Sequence, residues 1–406
     1  MFQKTIDTKE VILVSGPPGC GRDEYIQKVI DDEQTEYYHV YDYIVEAGKE
    51  DGKKVTKINI LQLQDLPKYR KKAFEKIRKE IENSDKKYHI ISTPAVFYHL
   101  DDTRINGLTE ELLCTIKPDV IIAFIDDLIE MKKRLKEDEY WGEAFGSEGA
   151  PLDFLSRWRW ESITFLRSMY DQHYLPRGEK TEEIFVKEMY IYARRHDESV
   201  LRRLIYERKL IPKLYLSYHI TDIKKLENEE IKKKLLSRIE EFKKKLSEEF
   251  IVFDPYTIRD WDIVDTYDAA VRENKEKIDL DGLTLDIKEI ERAVDSIRMQ
   301  IIKRDLWMID TADAVVVYHL SNTASAGVMT EIVHADSKRK PVFGIFPYKV
   351  RPSPFLEYFM SWGSIQTWVR GEKNGPEELT DEELEDLENK LIEKLNRLKE
   401  HFFTSL

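Results

Sequence analysis

Short apolar runs alternate with charged, helix-periodic segments along the first half of the chain. The runs "EVILVSG" from Glu10, "KYHIIST" from Lys87 and "PDVIIAFID" from Pro118 have the length and composition of buried strands. A glycine-rich loop and a helix follow the first run, and the helix-periodic "LIEMKKRLK" follows the third. This alternation predicts a parallel sheet covered by helices. From Pro151 to about Arg208 the spacing of large apolar residues predicts a mostly helical segment.

A second series of the same kind begins after Pro212, which interrupts the chain in "ERKLIPK". Strands are predicted at "KLYLSYH", "FIVFDP", "DAVVVYHL" and "PVFGIF". Helices are predicted at "LENEEIKKKLLSRIEEFKKKLSEE" and at "PEELTDEELEDLENKLIEKLNRLKEHF", which has a proline start and acidic first turns. We therefore predict an α/β fold with two three-layer α/β domains and mainly parallel sheets. Residues 1–209 form the first domain, and residues 210–406 form the second with its C-terminal helix.

The composition of the 406-residue chain is that of a globular protein, with 41% hydrophobic and 35% charged residues. A net charge of -13 argues against binding to nucleic acid or to an anionic membrane, although a local basic pocket could hold a small phosphate. The longest apolar runs are too short to span a bilayer, and the first residues lack the apolar core of a signal peptide. The Lys/Glu-rich balance is typical of thermophile proteins.

Cysteine and histidine usage gives no sign of a metal site. Cys20 and Cys114 are too few for a disulfide framework or a cysteine-based metal site, which favours a reducing, cytoplasmic location. The nine histidines show no metal-binding spacing, so no metal cluster is predicted. A homo-oligomer is compatible with the sequence.

The loop after the first strand departs from the phosphate-binding consensus G-x-x-x-x-G-K-[ST]. Residues 16–23 read "GPPGCGRD", so arginine stands at the lysine position and aspartate at the hydroxyl position. Backbone N–H groups of such a loop hold phosphate without any particular side chain, and the arginine keeps a positive charge on a larger, forked group. The aspartate would bring a negative charge close to phosphate oxygens unless it binds magnesium directly. With ATP and Mg²⁺ open as ligands, the predicted nucleotide-binding residues are Gly16, Gly19, Gly21, Arg22 and Asp23.

The first half resembles archaeal-type adenylate kinases over roughly Glu10 to Arg208. The resemblance rests on the loop, on "ISTPAVFYHL" and on "KPDVIIAFIDDLIEMKKRL". It implies a P-loop kinase-like fold. That family carries several arginines in a lid over the phosphates, whereas this chain has none between Arg134 and Arg157. We therefore expect nucleotide binding with weak or absent phosphoryl transfer, and an active kinase and a purely structural loop stay open.

Two carboxyls in the second half have a pattern suited to cleavage of an N-glycosidic bond. That reaction passes through an oxocarbenium-like state, which needs a carboxylate on the C1′ face of the sugar and an acid or hydrogen-bond donor at the departing base. Asp305 lies on the helix before "DAVVVYHL", and Glu331 lies on the helix after "SNTASAG". Both can point into the crevice at the carboxyl end of that strand. Either could instead be a helix-surface acid, with Glu331 complementing a helix dipole.

The second half resembles the nucleoside 2-deoxyribosyltransferase family and, within it, the 2′-deoxynucleoside 5′-phosphate N-hydrolases. The matching segments are "KLYLSYH", "FIVFDP", "DLWMIDTADAVVV", "SAGVMTE" and "KPVFGIF", from about Lys213 to Phe355. The resemblance implies a flavodoxin-like or Rossmann-like fold whose chemistry requires no cofactor. It makes Glu331 the nucleophile, Asp305 the acid near the base and sugar, and Tyr215 a catalytic tyrosine. The substrate-binding residues that it implies are Ser325, Gly327 and Ser353.

Serine at position 325 favours a 5′-monophosphate over a nucleoside. The family has aspartate or serine there, and a carboxylate would repel a phosphate to which a serine can donate a hydrogen bond. The first loop departs from the family, because "SYHITD" stands where a small Gly/Ser turn and a basic residue are usual. The phosphate pocket is therefore expected to use His219 or Arg351. Tyr215 could equally be a core residue, and Ser325 a helix cap.

Together these features predict an enzyme that cleaves or transfers the N-glycosidic bond of a nucleotide or nucleoside and carries a degenerate P-loop domain. Two other functions stay open. In one, both sites bind nucleotides without turnover and the protein is a sensor. In the other, the first domain is an active nucleotide kinase.

Overall fold

The computed structural model describes residues 9–56, 64–99, 103–174, 186–219, 223, 226, 228–320 and 325–404. These residues group into two compact units. The first contains the chain up to Glu198 together with Ile258–Ile301, and the second contains Ser199–Thr257 together with the chain from Ile302. The predicted domain boundary at residue 210 stays a prediction, because contacts between segments do not establish which segments fold independently.

Strands and helices alternate along much of the chain. The strands are β1 (Glu10–Ser15), β2 (Thr35–His39), β3 (Tyr88–Ser92), β4 (Val96–Tyr98), β5 (Arg104–Asn106), β6 (Val120–Ile125), β7 (Glu188–Ala193), β8 (Lys213–Tyr218), β9 (Ile251–Phe253), β10 (Lys277–Leu280), β11 (Leu283–Asp286), β12 (Ala314–Tyr318), β13 (Val342–Tyr348), β14 (Ser361–Trp362), β15 (Ile365–Gln366) and β16 (Trp368–Lys373). The helices are α1 (Arg22–Val29), α2 (Val40–Glu50), α3 (Leu66–Asn83), α4 (Glu110–Ile116), α5 (Leu128–Glu137), α6 (Glu139–Phe145), α7 (Leu152–Tyr174), α8 (Glu198–Tyr206), α9 (Glu229–Glu249), α10 (Asp260–Arg272), α11 (Ile287–Thr311), α12 (Ala326–Ser337), α13 (Pro354–Tyr358) and α14 (Asp381–Thr404).

The described strands form two five-stranded parallel sheets, one in each unit. In the first unit the order is β2-β3-β1-β6-β7, and in the second it is β16-β13-β12-β8-β9. The central strands β1, β6 and β12 are buried along their whole length, as parallel strands covered on both faces are. Three antiparallel hairpins, β4-β5, β10-β11 and β14-β15, lie outside the sheets.

The predicted fold class is confirmed: the chain is α/β, with two five-stranded parallel sheets flanked by helices. The segment from Pro151 to about Arg208 was expected to be mostly helical, and it contains the helices α7 and α8. It also contains a strand that was not predicted, because "EMYIYA" forms β7, which pairs in parallel with β6. Alternating aromatic and aliphatic residues allow this segment to form a strand, and its pairing partner is distant in the sequence.

Candidate functional sites

The glycine-rich loop lies between β1 and α1, at the carboxyl edge of the first sheet. Gly21 is the N-cap of α1 and has a φ of 71°, a left-handed conformation that favours glycine. A Cβ at Gly21 would lie 1.5 Å from Arg194 Nη1, and a Cβ at Gly16 would lie 2.1 Å from the carbonyl oxygen of Phe124. Glycine is therefore favoured at Gly21 by its left-handed conformation, since the Arg194 side chain could move, and is required at Gly16 by the close backbone carbonyl.

Arg22 folds back over its own loop. Its side chain is only 5% exposed. Nη1 donates to the Gly16 carbonyl over 2.9 Å, Nε donates to Ser92 Oγ over 2.7 Å, and Nη2 lies 3.0 Å from Asp23 Oδ2. The guanidinium thus connects the start of the loop, the end of β3 and the first turn of α1.

Asp23 accepts several hydrogen bonds at the wall of the site. Its Oδ1 accepts from the hydroxyl of Tyr37 over 2.9 Å and from the hydroxyl of Ser92, and its Oδ2 lies 3.8 Å from His39 Nε2. Burial alone would raise the pKa of Asp23, but the Arg22 guanidinium and these hydrogen bonds hold that pKa well below its usual range. Asp23 is therefore ionised at neutral pH.

Two further arginines contact the loop, and the sequence interpretation missed their role. Arg134 Nε donates to the Gly19 carbonyl over 2.6 Å, and Arg194 Nη1 donates to the Gly21 carbonyl over 3.0 Å. Arg134 also pairs with Asp126, which follows β6 and is 1% exposed. Burial raises the pKa of Asp126 to about 6, and Arg134 opposes that rise. A usable signal was present, since residues that follow neighbouring parallel strands meet at one edge of the sheet.

A cavity of about 540 Å³ opens beside the loop, a volume in the range of small-ligand sites. Its polar lining comes from the loop, Ser92, Thr93 and Arg134, and much of the rest of its lining is aromatic. The aromatic and apolar lining includes Tyr41, Ile44, Phe97, Tyr140 and Trp141. The combination of a glycine-rich loop at a helix N-terminus with flat apolar side chains can hold phosphate groups and an attached ring.

The carboxylates at this loop fit Mg²⁺ poorly. Magnesium in nucleotide sites is held by one or two carboxylates together with substrate phosphates. Asp23 is paired with Arg22, and Asp126 is paired with Arg134. Among the described residues no group of three or more His, Cys, Asp or Glu side chains is arranged to hold a metal ion.

The second candidate site, in the other unit, is centred on Glu331 in α12. The Tyr215 hydroxyl donates to Glu331 Oε1 over 2.7 Å, and Ser217 Oγ donates to Oε2 over 2.5 Å. Tyr215 and Ser217 lie two residues apart on β8, so both side chains point from one face of the sheet. Both residues are fully buried. Each carboxylate oxygen of Glu331 is therefore fixed by a hydroxyl from the same strand.

Asp305 lies close enough to Glu331 for the two charges to interact. Arg304 Nε donates to Asp305 Oδ1 over 2.9 Å, and Arg304 Nη2 donates to the Pro255 carbonyl over 3.1 Å. Burial raises the pKa of Asp305 to about 6, Arg304 lowers it, and the charge of Asp254 raises it. Burial also raises the pKa of Glu331 to about 7; the charge of Asp305 adds to that rise, and the two hydroxyls oppose it. Burial therefore disfavours the ionised form of both carboxyls.

The other predicted residues of this site have varied surroundings. Ser325 is the N-cap of α12 but makes no side-chain cap hydrogen bond, and Gly327 is exposed in the first turn of that helix. His219, at the end of β8, is 1% exposed, and its ring centroid lies 4.3 Å from that of His319. Ser353 caps α13 by accepting a hydrogen bond from the Leu356 N–H, a structural role that the sequence interpretation did not assign.

Arg351 is exposed and pairs with Glu357 over 2.9 Å. The part of the predicted substrate loop at residues 321–324 lies outside the described residues. The sequence interpretation also missed Ser217 and Arg304. The position of Ser217 two residues after Tyr215 was a usable signal, because strand residues alternate between faces.

A scan against protein families matches residues 15–147 to a family described as AAA domain. No curated protein matches the chain significantly. No helix within the described ranges is long and apolar enough to cross a membrane. The family match and the loop geometry support a P-loop, kinase-like domain in the N-terminal part of the chain, which is consistent with the use of a nucleotide.

Proposed function

We propose that the second unit cleaves or transfers the N-glycosidic bond of a nucleoside 5′-monophosphate, and that the P-loop of the first unit binds a nucleotide. One observation carries the first part of this proposal. Glu331 is held at both oxygens by Tyr215 and Ser217, and it lies within electrostatic range of a second buried carboxyl, Asp305. Two buried carboxyls can supply a nucleophile and an acid, and the reactive form is the one in which Glu331 is ionised and Asp305 is protonated.

In the proposed first step an oxygen of Glu331 forms a bond to C1′ while the bond from C1′ to the base nitrogen breaks. The electrons of that bond leave with the base, which accepts a proton from Asp305. In the second step water or a nitrogen of another base attacks C1′ and gives a proton to Asp305, and Glu331 leaves as a carboxylate. The hydroxyls of Tyr215 and Ser217 orient the attacking oxygen and stabilise the charge that returns to it.

Substrate choice in this proposal depends on Ser325 and the residues around it. The Ser325 hydroxyl makes no cap hydrogen bond at the start of α12, which supports a role in donating to a phosphate. A helix N-terminus at the same place favours an anion. Ser353 and Arg351 support the phosphate less well, because Ser353 caps a helix and Arg351 pairs with Glu357.

The test is direct. The full chain is incubated with a panel of nucleosides and nucleotides, with and without ATP and Mg²⁺, and free base is measured by chromatography. Base release from a monophosphate that Glu331→Gln abolishes is the expected result. Base release that survives Glu331→Gln in a folded protein would show that the assignment of the nucleophile is wrong.

A second candidate function concerns the P-loop: nucleotide binding with little or no phosphoryl transfer, as in a sensor. Supporting it, the Arg22 guanidinium is already bonded to Asp23, Ser92 and Gly16, whereas a P-loop lysine reaches the β- and γ-phosphates. Formation of ADP from ATP with a nucleoside monophosphate as acceptor is the measurement. Robust ADP formation that Arg22→Ala removes would refute this candidate and support an active kinase.

A further inference from the structure

The P-loop and the strand β3 carry a carboxylate and a hydroxyl, the two groups that hold Mg²⁺ in P-loop proteins, but each stands where the other is usual. In P-loop NTPases a serine or threonine of the loop and an aspartate from another strand hold Mg²⁺ against the β- and γ-phosphates. Here the carboxylate, Asp23, is on the loop, and the hydroxyl, Ser92, is at the end of β3. The Ser92 hydroxyl donates to Asp23, so the two groups are still directly connected.

The space next to this carboxylate is taken by a guanidinium. Arg22 Nε lies 3.1 Å from Asp23 Oδ1 and 2.7 Å from Ser92 Oγ, and Nη2 lies 3.0 Å from Asp23 Oδ2. Oδ1 also accepts from Tyr37, so three donors converge on that oxygen. A divalent cation bound to the same carboxylate would have to share it with a buried positive charge, which repels it.

Arginines also account for the charge on the rest of the loop. Asp126, which follows β6 at this edge of the sheet, pairs with Arg134; Arg194 Nε lies 3.9 Å from Asp126, and Arg194 Nη2 lies 3.6 Å from Glu24 Oε2. Each of the three loop glycines has its carbonyl bonded to a different guanidinium: Gly16 to Arg22, Gly19 to Arg134 and Gly21 to Arg194. These three carbonyls are therefore occupied by cations. The Cys20 N–H donates to the Pro17 carbonyl over 3.3 Å, and backbone N–H groups of such a loop are the donors that suit a phosphate.

We propose that this P-loop binds the phosphate groups of its nucleotide without a divalent cation, with Arg22 and Arg134, which line the cavity beside the loop, supplying the positive charge that Mg²⁺ supplies in other P-loop proteins. The inference rests on the nucleotide binding proposed above. It differs from loss of function, because the charge at the phosphates is kept and only its source changes. Arginine provides this charge permanently, since its guanidinium stays protonated.

The experiment compares the affinity of the full chain for ADP and for ATP in excess Mg²⁺ and in excess EDTA, measured by calorimetry. The expected result is that the Kd values differ by less than about 3-fold between the two conditions. Binding that weakens by more than about 10-fold in EDTA overturns the inference and leaves nucleotide binding standing. Absence of binding under both conditions refutes nucleotide binding at the loop and the inference with it.

An exchange variant makes the test sharper. The triple variant Arg22→Lys, Asp23→Ser, Ser92→Asp restores the usual lysine, hydroxyl and carboxylate positions, and we expect its nucleotide affinity to become at least about 10-fold dependent on Mg²⁺. Arg167→Lys, on α7 and paired with Asp171, is the control and should leave both affinities unchanged. Thermal unfolding establishes that each variant is folded. If the triple variant does not fold, the comparison of unmodified protein in Mg²⁺ and EDTA still decides the question.

Discussion

Replacing Glu331 with glutamine should stabilise the folded protein at alkaline pH while it removes the proposed chemistry. Burial and the charge of Asp305 raise the pKa of Glu331 from 4.5 to about 7. A shift of about 2.5 pH units corresponds to about 3 kcal/mol against the ionised form in the folded state. Glutamine keeps an oxygen that can accept from Tyr215, and its amide can donate to Ser217. The variant therefore loses the charge without leaving the two hydroxyls unbonded.

The sign of the pH dependence follows from the direction of the shift. Because the folded-state pKa lies above the unfolded-state pKa, the stabilising contribution is present below pH 4.5 and is lost as the pH rises through 7. Glu331→Gln removes this titration. The free energy of unfolding of the variant minus that of the unmodified protein should therefore be larger at pH 8 than at pH 5, by about 2–3 kcal/mol.

Urea unfolding of both proteins at pH 5 and pH 8 measures this difference and does not depend on knowing the substrate. Glu388→Gln is a matched control, because Glu388 also accepts a tyrosine hydroxyl, from Tyr318 over 2.6 Å, but pairs with Arg238 over 2.6 Å. Removing its charge leaves the buried Arg238 guanidinium with only the exposed Glu241 as a carboxylate partner among the described residues, so this control should be less stable at both pH values. If Glu331→Gln is also less stable than the unmodified protein at pH 8, the inference that ionisation of the buried Glu331 destabilises the fold is wrong.

Three further predictions concern turnover in the second unit. Base release should follow a bell-shaped pH profile with limbs near pH 6 and 7, because burial raises the pKa values of Asp305 and Glu331 to about 6 and about 7. A rate that is constant from pH 5 to 8 would contradict this prediction. Tyr215→Phe should lower the rate of base release by at least about 10-fold, because a hydrogen bond to a charged group is worth about 1.5–3 kcal/mol. Tyr318→Phe is the control and should leave the rate unchanged, because the Tyr318 hydroxyl donates to Glu388 and not to Glu331. Ser325→Asp should move the preference for the monophosphate over the nucleoside toward the nucleoside by about 30- to 1000-fold, and an unchanged ratio of the two kcat/KM values would exclude contact between Ser325 and the phosphate.

Central strands could be predicted from the sequence, and several edge strands could not. β1, β6 and β12 are continuous apolar runs because helices cover both of their faces. β2, β7 and β16 were not predicted, and each lies at an edge of its sheet. An edge strand has one neighbour and does not need an unbroken apolar run, as "TEYYH" and "WVRGEK" illustrate. Their pairing is set by the sheet and not by local pattern.

Some contacts of the candidate sites could likewise be predicted from the sequence, and others could not. The meeting of Glu331 with Tyr215 could be expected from resemblance to a family, and Ser217 from the alternation of strand residues. No motif indicates the roles of Arg134 and Arg194, and the available signal was their position after the neighbouring parallel strands β6 and β7. These arginines bind backbone carbonyls of the loop, and a carbonyl is present at every residue, so no residue type in the loop signals the contact.

The geometry of the loop also bears on whether it has only a structural role. A loop kept for packing alone would be expected to bury its side chains and fill the space beside it, because voids lose contacts and stability. Arg22 is buried, but the Asp23 side chain is 42% exposed at the wall of a cavity of about 540 Å³. The cavity is present although the loop lacks the lysine and the hydroxyl of the consensus. Without Asp23, the buried Arg22 would be an uncompensated charge. The two departures from the consensus therefore depend on each other. They form one ion pair that preserves both the loop and the space for a ligand, and this favours binding over a purely structural role.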